Sequence, residues 1–128
     1  MCILLDTHAW AWSMDDDSRL SGTAAMAINS AQTIGISVVS IFEIAQKVRL
    51  GKWPEMDALL PDLARAPEWQ HAELADLTPE IAHLAGTLDW PHRDPFDRIL
   101  AATALVNGWV LISADTAFDS LIGLRRIW

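Results

Sequence analysis

The chain has 128 residues, 52% hydrophobic and 20% charged, which fits one globular domain with a real core and excludes a disordered chain. Its net charge of −8 argues against binding nucleic acid through overall charge, so the placement of its acids matters more than their sum. The single cysteine, Cys2, excludes an internal disulfide and any multi-cysteine zinc site.

The opening run MCILLD is too short for a signal peptide and ends in an acid. No stretch approaches the roughly 18 apolar residues of a membrane span. A cytoplasmic, membrane-free protein is the expectation. Within that run, CILLD reads as a buried strand ending at Asp6, and THAWAW begins a helix. The polar loop DDDSRLSG follows, with Ser21 or Thr23 starting the next helix. TIGISVVS is apolar and β-branched, a second buried strand.

SIFEIAQKVRLGKW places Ile41, Ile44, Ala45 and Val48 on one helical face, with Gly51 as its stop. Another helix is predicted from about Glu55 to Arg65, ahead of Pro67. A short strand, a turn and a helix opening at Pro79 come next, then a helix from Pro95 to Asn107. GWVLISAD is a strand and GLRRIW a weaker last one. Short apolar strands alternating with helices predict a single α/β domain over residues 1–128 with a mostly parallel sheet.

The acids fall at telling places. Asp6 ends the first strand, Glu43 stands in the first turn after the second, and Asp115 follows WVLIS. Ligands of open parallel sheets bind beyond the carboxyl ends of the strands, where these three acids converge. Asp94 and Asp97 open the helix before that last strand, and only the topology decides whether Asp97 joins them.

Each acid also has a local reading. Asp6 can cap the first helix and Asp115 a short turn. SIFE matches a capping box, with Ser40 as cap and Glu43 reaching back. DPFD has a cap aspartate, a proline at the first helical position and an acid near N3. Gathered carboxylates repel unless a cation joins them, and a hard ion such as Mg²⁺ or Mn²⁺ prefers oxygen ligands. Such a site suits phosphodiester hydrolysis. Thr7 and Ser113 are candidate orienting hydroxyls, or ordinary strand-end hydrogen bonders.

Basic residues are few. Lys47, Arg49 and Lys52 follow Glu43, while Arg93 and Arg98 flank the DPFD acids. They form either a local phosphate-contacting surface or a solvated face with Glu43 pairing Lys47. The four histidines share no compact zinc spacing. His92 is either a substrate contact or a hydrogen-bonded loop histidine.

LLDTHAWAW, SVVSIFEIAQKVRLGK, HRDPFDRILAATAL and VLISADTAF stand in the order found in PIN domains. The chain most resembles the VapC toxins of VapBC toxin–antitoxin pairs, from Ile3 to about Trp128. The resemblance implies a three-layer α/β/α sandwich and a Mg²⁺- or Mn²⁺-dependent endoribonuclease that cleaves cytoplasmic tRNA or rRNA and stops translation. It implies that Asp6, Glu43, Asp97 and Asp115 are the metal-site acids. It leaves Asp94 chiefly as a cap, with an outer-ligand role open, and Arg98 as a neighbour that meets substrate or ligands. Ser113 keeps the hydroxyl that many relatives supply as threonine. The implied partners are an RNA substrate, a VapB-like antitoxin whose C-terminal segment occupies the acidic groove, and a second copy of the chain.

Rival readings fit less well. A phosphoacceptor domain wants a late lysine, and none follows Lys52; a haloacid-type phosphatase wants D-x-D, and DTH puts His8 third. The stronger rival is a non-catalytic PIN-like module binding RNA or protein, against which the complete set of four acids speaks.

Overall fold

The short apolar runs become β1 (Cys2–Leu5), β2 (Thr33–Ser37), β3 (Glu73–Ala75), β4 (Val110–Ile112) and β5 (Arg126–Ile127). The computed structural model describes residues 1–128. The strands form one sheet in the order β3-β2-β1-β4-β5, with every neighbouring pair parallel. β1 is central: Leu4 is in register with Gly35 on one side and Leu111 on the other.

Strand periodicity splits the core in two. Ile3, Leu5, Ile36 and Ile112 pack with Trp10 of α1 (Thr7–Met14), Ala24 of α2 (Gly22–Ser30) and Ile44 of α3 (Val38–Arg49). Leu4 and Leu111 pack on the opposite face with Leu100 and Ala101 of α6 (Pro95–Asn107) and with Phe118. The helix α5 (Pro79–Thr87) lies against α6 through Ile81, Ala85 and Ala102. The sheet is thus the middle of three layers, the expected α/β/α sandwich. Gly35 makes room for Trp109: a Cβ there would run into the indole ring.

Two local expectations are corrected. The strand β2 stops at Ser37, whose hydroxyl accepts from the Val39 amide and starts α3. Ser40 is therefore inside the helix, the SIFE capping box does not form, and Glu43 stands in the second turn. The β-branched pair Val38–Val39 looked like strand but sits in the first helical turn. The second correction concerns Pro54–Arg65, which forms consecutive 3-10 turns in place of an α-helix, followed by a short α4 (Ala66–Trp69). Pro61, inside this stretch, has no amide to donate and blocks an α-helical bond.

Because the strands all run one way, their carboxyl ends share one edge. Gly108, at φ +68°, turns α6 straight into β4. The helix α6 therefore runs back against β4 and begins at that same edge, which brings Asp97 there.

Candidate active site

Asp6 leaves β1 as the N-cap of α1, with Oδ1 accepting from the Ala9 amide at 2.7 Å. Its own amide donates to the Ile112 carbonyl at 3.0 Å, so the ends of β1 and β4 are stitched beside the carboxylate. Asp6 is only 8% exposed. Burial pushes its carboxyl above the ordinary aspartate range, the Glu43 charge adds to this, and the Ser113 hydroxyl and Ala9 amide pull the other way.

Glu43 is equally buried, and its Oε2 lies 2.8 Å from Lys47 Nζ one helical turn later. The Thr7 and Ser40 hydroxyls share a buried hydrogen bond of 2.9 Å. This bond ties α1 to α3 and so fixes Asp6 relative to Glu43. The Thr7 hydroxyl is engaged within the protein.

Asp94 is the N-cap of α6, accepting from the Phe96 and Asp97 amides at 2.8 and 3.3 Å. Asp97, one turn inside, has Oδ2 2.6 Å from His92 Nε2. Burial raises the Asp97 carboxyl above its ordinary range, opposed by the His92 bond; Asp94 and Glu43 raise it further. Asp115 caps the 3-10 turn Thr116–Ser120 through the Ala117 amide, and its own amide donates to the Ser113 hydroxyl.

Donor atoms of His92, Asp97 and Asp115 all lie within 4.8 Å of one another. Asp6 and Asp115 line one cleft, and Glu43 acts electrostatically on both Asp6 and Asp97. The four acids thus share the carboxyl edge of the sheet, around β1 and β4. Their oxygens, with one imidazole, make a donor set that suits a hard divalent cation.

Arg98 is placed differently from a substrate contact. Its guanidinium donates to the carbonyls of Ala85, Leu88, Trp90 and His92 at 2.6 to 2.9 Å. It clamps the loop that carries His92. The role of His92 as partner of Asp97 escaped the sequence, where four residues of loop and cap separate the two. The only signal was its place just before the DPFD block.

A family model described as PIN domain matches residues 3–124. Ribonuclease VapC22 of Mycobacterium tuberculosis is 32% identical over 121 residues, covering 92% of this chain and 90% of its own. Two solved structures share the fold at lower identity. VapBC2 from Rickettsia felis, bound to a DNA fragment from its promoter, is 18% identical with a TM-score of 0.71, covering 100% of this chain and 99% of that one. FitAcB from Neisseria gonorrhoeae is 15% identical with a TM-score of 0.72, covering 98% and 96%. The structures speak for the fold, and the two sequence matches carry the assignment: the chain belongs to the PIN domain family, among the VapC ribonucleases.

Proposed function

We propose that this protein is a metal-dependent endoribonuclease, the toxin of a type II toxin–antitoxin pair, which cleaves cytoplasmic tRNA or rRNA and thereby stops translation. The observation that carries this reading is the meeting of Asp6, Glu43, Asp97 and Asp115 at one sheet edge, where two of the carboxyls are raised by burial. Carboxylates held this way are costly without a cation. Asp6, Asp97 and Asp115 would hold Mg²⁺ or Mn²⁺, with Glu43 beside them. Such an ion supplies activation of water and neutralisation of charge on the phosphodiester.

The protein's own residues prepare that site. His92 holds Asp97 by one oxygen, which fixes the carboxylate and leaves the other free for a ligand. Lys47 restrains Glu43. Asp94 keeps the first turn of α6 in place, and Ser113 fixes the turn bearing Asp115.

The proposed partner is a VapB-like antitoxin whose C-terminal segment fills the acidic groove; a basic or arginine-bearing tail complements the charge there. A homodimer is the proposed resting form. No helix is long and apolar enough to cross a membrane, in keeping with a cytoplasmic site of action.

The test is cleavage of bulk tRNA and rRNA by the purified protein with Mg²⁺ or Mn²⁺. EDTA, Asp6→Asn and Asp97→Asn are each expected to abolish cleavage while thermal melting shows the variants folded. Variants that cleave like wild type would assign these acids to capping alone.

A further inference from the structure

Three of the nine lysines and arginines of this acidic chain, Arg19, Lys47 and Lys52, line one cleft of about 360 Å³ together with His8, Trp12, Trp53 and a single acid, Glu55. A second cleft, of about 390 Å³, shares His8, Trp12 and Arg19 with the first and reaches Asp6 and Asp115. The two form one groove that starts at the acids and runs outward along α1.

Its wall is a row of three rings with a cation at each end. Arg19 Cζ lies 5.1 Å from the centre of the Trp12 ring, which is 5.6 Å from His8. His8 stacks on Trp53 at 4.7 Å with 29° between the planes, and Lys47 Nζ lies 5.5 Å from the Trp53 ring. The helix produces this order, since His8 and Trp12 are one turn apart on α1 and His8 follows the Asp6 cap by two residues. Trp53 is buried and His8 is exposed, so the stack is anchored below and open above.

Lys47 is held by Glu43, but the other two cations keep capacity for another partner. Lys52 forms no ion pair. Arg19 meets Asp17 through Nε and Nη2 alone, which leaves Nη1 with both its hydrogens. An exposed ring backed by an aromatic and flanked by cations is the arrangement that binds unpaired nucleotides: bases stack, and phosphates meet the charges. A base inside a duplex has both faces covered, so this wall selects single-stranded RNA.

We propose that this groove is the subsite for the unpaired nucleotides beside the scissile phosphate, with a base stacked on His8 against Trp53 and neighbouring phosphates on Arg19 and Lys52. The proposal rests on the ribonuclease reading and adds to it the groove and the residues, His8, Trp53, Arg19 and Lys52, that hold the nucleotides beside the cleaved bond.

The experiment measures binding of a fluorescent single-stranded RNA of about 12 nucleotides and mixed sequence, by anisotropy in EDTA at low salt. Wild type, His8→Ala, His8→Phe and Lys52→Ala are compared, with the same sequence as a duplex. His8→Ala is expected to weaken binding about 5- to 150-fold, and His8→Phe, which keeps a stacking face, to restore most of it. Lys52→Ala lowers the salt dependence by about 0.7 in log–log slope, the loss of one phosphate contact. The duplex binds more weakly than the single strand. With Mg²⁺ present, His8→Ala raises KM more than it lowers kcat. If His8→Ala and Lys52→Ala bind RNA like wild type, the groove belongs to a protein partner and the proposal falls. The ribonuclease reading still stands in that case if Asp6→Asn and Asp97→Asn abolish cleavage. A wild-type protein that neither binds nor cleaves RNA overturns both.

Discussion

At the scale of single residues, Asp6 caps a helix with the same carboxylate that the proposed function assigns to the metal. Oδ1 caps α1, while burial and the Glu43 charge push the acid upward. An ionised Asp6 therefore destabilises the folded, metal-free protein. Asparagine caps a helix about as well as aspartate and carries no charge. Asp6→Asn is expected to melt several degrees above wild type in EDTA, whereas Mg²⁺ raises the melting temperature of wild type far more than that of the variant. Differential scanning fluorimetry measures both, and a variant that melts lower in EDTA would show the carboxylate to be needed for the fold. The caps at Asp6, Asp94 and Asp115 were legible in the sequence because a cap depends on three or four consecutive residues. Glu43 was placed in the right helix but the wrong turn, because Val38 and Val39 carry no mark of where strand gives way to helix. The His92–Asp97 contact depends on the path of a loop, which spacing does not encode.

Among the elements, α6 was the most legible, with a cap aspartate, an N1 proline, an apolar face and a terminal glycine all agreeing. Less legible was what α6 does for its surroundings. Arg98 reaches off this helix to four carbonyls at the end of α5 and in the loop that follows. Those carbonyls are partly buried and would lose a charged donor on truncation. Arg98→Ala is expected to cost about 2–3 kcal/mol of stability, read from urea midpoints. Lysine at this position recovers little, since one ammonium cannot fork across carbonyls that a planar guanidinium spans. Cleavage falls with the loss of the clamp, because the loop that aims His92 at Asp97 loosens. Unchanged midpoints in Arg98→Ala would mean that the loop is held by the packing of Trp90 on Phe118. The stretch Pro54–Arg65 shows the opposite kind of legibility. Its composition looked helical, but Pro61 made it 3-10, and the signal was present in the sequence.

For the molecule as a whole, the parallel sheet with its acids at one edge was readable, because alternating strands and helices admit few other arrangements. The net charge of −8 was also plain, but which carboxylates burden the fold was not, since burial decides it. Two opposing sets emerge. Asp6 and Asp97 are raised by burial: above the ordinary aspartate value of 3.8 the native state keeps protons that the unfolded chain has released. Stability from this pair is greatest near or below 3.8 and is lost as pH climbs through their raised folded values. Asp17, lowered to about 2 by Arg19, and Asp119, lowered by Arg126, act the other way. Their contribution is present above 3.8 and disappears as pH falls below it, and as exposed pairs they weigh little. Self-repulsion of the acidic chain adds to the first set. The metal-free protein is therefore expected to be most stable on the acid side of neutrality, with melting temperature falling as pH rises toward about 8. Saturating Mg²⁺ competes with protons for the same oxygens, so it flattens this fall and gains effect with rising pH. Melting curves between about pH 4 and pH 8, with EDTA and with Mg²⁺, measure both slopes. A metal-free protein that grows steadily more stable up to the highest pH would mean that the buried acids are already relieved by their protein neighbours, and that the site has no electrostatic debt for an ion to discharge.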